Sequence, residues 1–249
     1  MEGSAYLLEL VAALAYLAVG GRLLGRARQS GEAPERLLGS YFVFTGASYA
    51  IYALPLLLER PEILTPLFFT GRVVYAVGIV PLVLFMRRVF HPGETWAACL
   101  VWACALCLFA GLAVSALTGD VEGMALSNPW FWVEWVGYTA PFGWVAIDSL
   151  RSFSSASRRA RIGLCDAVVV HRYLLWAGFG ALKVACSLAL VAMYSSVAEE
   201  RLIAAWADAV VGGLEIASLA VLWFVFFPPV AYRRWLGGGA RASQSPLGT

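Results

Sequence analysis

Apolar residues fall in seven long blocks, at 5–25, 37–58, 66–86, 96–117, 129–150, 173–194 and 202–227, and the stretches between them hold most of the charge. A block of about 20 residues crosses ~30 Å of hydrocarbon as a helix rising 1.5 Å per residue. Lipid offers no partner to backbone N–H and C=O groups, so a spanning segment of this kind must be helical. The pattern therefore predicts an all-α membrane protein, a seven-transmembrane-helix bundle. The first block is the weakest, with Glu9 and Arg22 bracketing its apolar core. Pro228-Pro229 is expected to stop the last helix, since neither residue supplies an N–H.

Composition sharpens this picture. Charged residues make up 14% of the chain, against about a quarter in soluble domains, and the mean hydropathy is +0.75. So few charges could not clothe a water-facing surface. One transmembrane domain over 1–235 is expected, followed by a disordered cytoplasmic tail at 236–249. Met1-Glu2-Gly3-Ser4 places no basic stretch ahead of the first block, which is read as a retained helix and not a signal peptide. The five cysteines (99, 104, 107, 165 and 186) all avoid the segments placed outside, so no extracytoplasmic disulfide framework is expected.

Charge placement sets the orientation. One side collects Arg22, Arg26, Arg28, Arg36, Arg87, Arg88, Arg151, Arg158, Arg159, Arg161, Arg172, Arg233, Arg234 and Arg241. The other carries Glu59, Glu62, Asp120, Glu122, Glu199 and Glu200, with Arg60 and Arg201 as its cations. The positive-inside rule makes the arginine-rich side cytoplasmic, placing the N-terminus out and the C-terminus in. The partners implied are the lipid bilayer and, on the cytoplasmic side, anionic lipid headgroups; nucleic acid is not implied. The expected location is the bacterial cytoplasmic (inner) membrane.

Five ionisable residues lie within the blocks: Arg72, Glu134, Lys183, Asp208 and Glu215. A lone charge at the centre of a spanning helix costs roughly 2.5–3.5 kcal/mol on insertion scales, so such groups should turn inward and pair. Counted from the span ends, Arg72, Glu134 and Asp208 share a layer ~8–9 Å below the outer edge. Lys183, the only lysine, and Glu215 lie near the midplane and are expected to meet. Asp208 and Glu215 are seven apart and share a helix face. Gly180, Ser187 and Tyr194 fall on the face of Lys183, and Tyr138 follows Glu134 by one turn. Pro141 frees the carbonyl of Gly137, and Pro55 and Pro81 interrupt the second and third helices. Arg72, Glu134, Tyr138, Lys183, Asp208 and Glu215 are thus the candidate ligand or ion site. The plainer reading of the same residues is a register-fixing Lys183–Glu215 pair, with Arg72 and Asp208 reaching toward the outer interface.

Other chemistry finds little support. The two histidines, His91 and His171, sit at the cytoplasmic edge, which disfavours a multi-histidine zinc site and haem ligation across the bundle. No phosphate-binding loop appears. Retinal proteins carry their Schiff-base lysine on the seventh helix, whereas Lys183 is on the sixth. Catalysis has no visible apparatus, and no cofactor class is indicated. Asp148 and Arg151 are three apart and are read as an interfacial pair. In the fifth loop, Asp166 should cap a helix beginning at Ala167. Arg158, Arg159, Arg161 and Arg172 would then face headgroups or a partner protein, or serve only as a positive-inside patch.

This loop, the turn Arg87-Arg88-Val89-Phe90-His91-Pro92 and the ending Phe226-Phe227-Pro228-Pro229 resemble those of uncharacterised bacterial seven-helix membrane proteins. The plan is also similar to the seven-helix sensory modules that precede bacterial signalling domains, although no output domain follows the seventh block here. That resemblance implies a receptor or sensor acting through a separate signalling or membrane partner, and it assigns no functional residues. The alternatives are a small-molecule or proton-coupled transporter, and a structural subunit of a membrane complex.

Overall fold

The computed structural model describes residues 2–58, 63–119, 126–196 and 201–232, with side chains described for most of them. Its elements are seven helices: α1 (Glu2–Ser30), α2 (Ala33–Leu57), α3 (Leu64–Phe90), α4 (Thr95–Thr118), α5 (Pro129–Arg161), α6 (Ala167–Ser196) and α7 (Arg201–Phe226). No strand occurs among the described residues. Five of the helices are long and apolar enough to cross a membrane, within α1, α2, α3, α4 and α6. They mark the chain as an integral membrane protein. Among the residues of α7 whose side chains are described, Val210–Phe226 forms a further, shorter apolar stretch. α5 is not among the five: its Trp, Tyr, Gly and Pro residues, together with Glu134 and Asp148, keep its hydropathy low. The expected tail at 236–249 lies outside the described residues.

Local chemistry explains the helix ends. Asn128 caps α5 by accepting from the Trp130 N–H at 3.0 Å, with Pro129 at the first helical position, where its missing N–H is harmless. Asp166 caps α6 by accepting from the Val168 N–H at 2.9 Å. α1 gives way at Gly31, whose φ of 71° an L side chain rarely adopts. α7 stops just before Pro228-Pro229. One boundary differs from expectation. α5 continues beyond 150 to Arg161, so Arg158, Arg159 and Arg161 belong to its last turn and not to a loop. No glycine or proline interrupts 151–161, and the break comes only at Gly163, with φ 75°.

Consecutive helices pack as neighbours, α7 returns to α1, and α3 also touches α5 behind α4. The ring closes on a core rich in aromatic residues, including Tyr16, Tyr41, Phe42 and Phe179, all fully buried. Trp102, Leu106 and Leu117 point outward instead, at 72%, 70% and 86% exposure. Large apolar side chains on the outside and charges within are what a hydrocarbon solvent selects.

Candidate functional site

Near the middle of the bundle, the Lys183 ammonium donates to Glu215 Oε1 at 2.9 Å and to Oε2 at 2.8 Å. Both residues are buried, at 6% and 5% exposure. Two phenols join them: Tyr16 of α1 donates to Glu215 Oε1 at 3.0 Å, and Tyr49 of α2 to the same oxygen at 2.9 Å. Lys183 also donates to the Tyr49 hydroxyl at 3.4 Å. Its charge stands 5.5–6.0 Å from the rings of Tyr16, Tyr49 and Phe142, within reach of their negative faces. Among the described residues, Glu215 Oε1 thus accepts from three donors and Oε2 from Lys183 alone. Four helices converge on one carboxylate.

A second ion pair lies elsewhere in the bundle. Arg72 of α3 grips Glu134 of α5 through Nη2 to Oε2 at 2.6 Å and Nε to Oε1 at 3.3 Å. Arg72 Nη2 also donates to Ser115 Oγ of α4 at 3.4 Å, and Tyr138 donates to the Arg72 backbone carbonyl at 3.2 Å. Gly111 makes room for this clamp: a Cβ there would fall 2.6 Å from that of Glu134. Of the expected outer layer, Arg72 and Glu134 are brought together, and the Asp208 side chain lies outside the described residues. Arg72 is buried and does not reach outward.

A third polar cluster sits at the arginine-rich end. Asp148 forms the expected pair with Arg151, whose Nη1 donates to Oδ1 at 3.5 Å, but it is also buried, at 4% exposure. It accepts from Trp144 Nε1 at 2.5 Å and lies 2.6 Å from His91 Nε2, whereas Arg151 is 3.5 Å away with its side chain 74% exposed. The i+3 spacing pointed to the local cation, and packing adds the histidine that follows α3. His91 also lies 3.3 Å from Glu94 and meets the Trp96 ring edge-on, so this end of α3, α4 and α5 is tied together.

Two cavities face opposite ends of the bundle. The first, of about 230 Å³, has Lys183, Glu215, Tyr49 and Tyr75 at its base. Its walls include Tyr52, Phe131, Trp135, Tyr138, Leu190 and Val191. It therefore extends from Lys183 toward the end away from the arginines, about 12 Å along α6 to Val191 at 1.5 Å per residue. Its lining includes Tyr138 but neither Arg72 nor Glu134. Ser187 closes one side, 2.6 Å from Thr139. Gly180, expected to permit close approach, does so: a Cβ there would meet the Ala146 nitrogen and the Phe142 carbonyl at 2.7 Å. The second cavity, about 220 Å³, is lined by Arg26, Glu35, Leu38, Phe85, Arg172 and Trp176, among others. Of the arginine candidates Arg158, Arg159, Arg161 and Arg172, the last lines this cavity.

Tyr16 and Tyr49 were not singled out from the sequence, although they complete the central site. In a chain with ten tyrosines, nothing local distinguishes them. Among the described residues, no cluster of three or more His, Cys, Asp or Glu side chains could hold a metal ion. No known protein family, curated protein or solved structure matches the chain.

Proposed function

We propose that the chain is a receptor-like integral membrane protein that binds a small, mostly apolar, uncharged ligand in the aromatic cavity above Lys183 and Glu215. In this reading all seven helices span the bilayer, the N-terminus lies outside, and the cavity opens outward. The observation that carries the reading is the cavity of about 230 Å³ with a neutralised ion pair at its base. A ligand bearing a full charge would have to break that pair, leaving a buried ion without its partner, at several kcal/mol. An uncharged ligand with one hydrogen-bond donor meets no such cost, since Glu215 Oε2 has room for a second donor. The aromatic walls then accept its apolar body. Occupancy presses on α2, α5, α6 and α7 together, and the arginine-bearing ends of α5 and α6 carry the change to a cytoplasmic partner.

The test uses three compounds with the same ring and two-carbon arm: 2-phenylethanol, phenethylamine and 3-phenylpropionate. Melting of the purified protein in detergent is followed at rising concentrations of each. The alcohol should raise the melting temperature saturably and the two ions should not. Ser187→Trp, which fills the cavity, should abolish the shift. Equal shifts from all three compounds, or a shift that survives Ser187→Trp, would reject the reading.

A further inference from the structure

Among the described residues, two hydroxyl groups in the core find no protein partner. Tyr41 Oη and Thr45 Oγ1 are buried without a hydrogen bond, and both residues are 0% exposed. They lie on α2 between the two cavities. Phe142 lines the upper cavity and stands 6.4 Å from Tyr41, ring to ring. Tyr41 stands 4.8 Å from Phe42, and Phe42 stands 6.4 Å from Trp176, which lines the lower cavity. A thin layer of rings therefore separates the two spaces.

The spacing of the hydroxyl-bearing residues is regular. Tyr49, Thr45 and Tyr41 follow one another at intervals of four on α2, with Glu35 and Leu38 of the lower cavity further down the helix. Residues four apart on a helix have Cβ atoms about 5–6 Å apart. Buried waters commonly satisfy polar groups that the protein leaves unpaired. At the upper end, the Tyr49 hydroxyl already donates to Glu215 at 2.9 Å.

We propose that a water-bridged proton path runs down α2, from Glu215 through Tyr49, Thr45 and Tyr41 to the cavity at Glu35. A proton from the upper cavity adds to the Glu215 carboxylate, while Lys183 keeps its charge against Tyr49 and the neighbouring ring faces. The Tyr49 hydroxyl then gives its proton to the water below and takes one from Glu215, restoring the carboxylate. Each later hydroxyl likewise gives one proton and gains one, and Glu35 or bulk water accepts at the bottom. Only O–H bonds break and form. The titratable groups facing Glu215 are Lys183, Tyr16, Tyr49 and, across the cavity, Tyr75 and Cys186.

The path needs both cavities to face opposite sides of the membrane but does not depend on the ligand reading. It is tested with the full chain in liposomes containing a trapped pH-sensitive dye, driven by a potassium gradient and valinomycin. Proton uptake should exceed that of protein-free liposomes. Tyr41→Phe and Thr45→Val should each slow it by at least about tenfold, an added barrier of roughly 1.4 kcal/mol. Neither should lower the melting temperature, because each removes a hydroxyl that bonds no protein group. Ser154→Ala, whose hydroxyl bonds its own helix at the Leu150 carbonyl, should leave uptake unchanged. Uptake no faster than in empty liposomes would overturn the path. So would normal uptake in both hydroxyl variants, or a loss of uptake matched by a loss of stability. The alcohol-binding result is independent of all of these outcomes.

Discussion

Replacing Glu215 with Gln keeps the shape of the side chain and an oxygen for Tyr16 and Tyr49, but leaves the Lys183 ammonium without an opposite charge. Lys183 is 6% exposed and makes two bonds to Glu215 within 2.9 Å. Its remaining contacts are the Tyr49 hydroxyl at 3.4 Å and three ring faces. Removing one member of a buried pair typically costs about 3–5 kcal/mol, because the other charge is stranded. Lys183→Met strands Glu215 instead, which still accepts from two phenols, so its cost should fall at the low end of that range. With both changes no ion is left buried, and the double variant should lose less than the two single losses combined. A coupling of at least about 2 kcal/mol is expected for residues in direct contact within one network. Equilibrium unfolding of the four proteins in mixed micelles measures it. Additive losses, within about 0.5 kcal/mol, would show that the pair does not stabilise the bundle as a unit.

Further tests probe the neighbouring geometry. Arg72→Gln should destabilise by about 3–5 kcal/mol by stranding buried Glu134, whereas Arg151→Gln, at an exposed partner 3.5 Å from Asp148, should cost no more than about 1 kcal/mol; unfolding in micelles reads both. Gly111→Ala should cost about 1–3 kcal/mol, since its Cβ would fall 2.6 Å from that of Glu134 and force α4 from α5. Gly143→Ala, where a Cβ meets nothing within 4 Å, should cost nothing or stabilise slightly, and equal melting shifts in the two would contradict the close approach of α4 and α5. Asp148→Ala should remove the shared acceptor of Trp144 and His91, changing the near-ultraviolet circular dichroism of Trp96 and Trp144.

The helices were legible because apolar run length is a local property, and so were the cap at Asp166 and the stop at Pro228. The cost of a bare ion in hydrocarbon also made it legible that Lys183 and Glu215 should meet, since helix counting puts both near the same depth. Depth does not say which helices adjoin, so the Ser115 and Tyr138 contacts of Arg72 could not be read. The Tyr16 donor is 199 positions from Glu215, and phenols are common in this chain. For Asp148 the exposed cation at i+3 was legible, but its half-buried neighbour His91, which follows α3, was not, because it is 57 positions away in the chain. The extension of α5 past 150 was hidden because polarity ends a membrane block without ending a helix.

The proposed outward opening of the cavity above Lys183 is tested most directly by the thiol of Cys186, which lines it, with Cys165 on the α5–α6 connection as the internal reference. In a variant with Cys99, Cys104 and Cys107 changed to Ala, a membrane-impermeant methanethiosulfonate, whose charge sits at the end of an uncharged arm long enough to keep the ion outside the cavity, is applied to intact cells. Cys186 should be modified, and 2-phenylethanol should slow that modification, while Cys165 should react only after the membrane is opened. An unreactive Cys186 beside a reactive Cys165, or Cys186 labelling indifferent to the alcohol, would contradict the account.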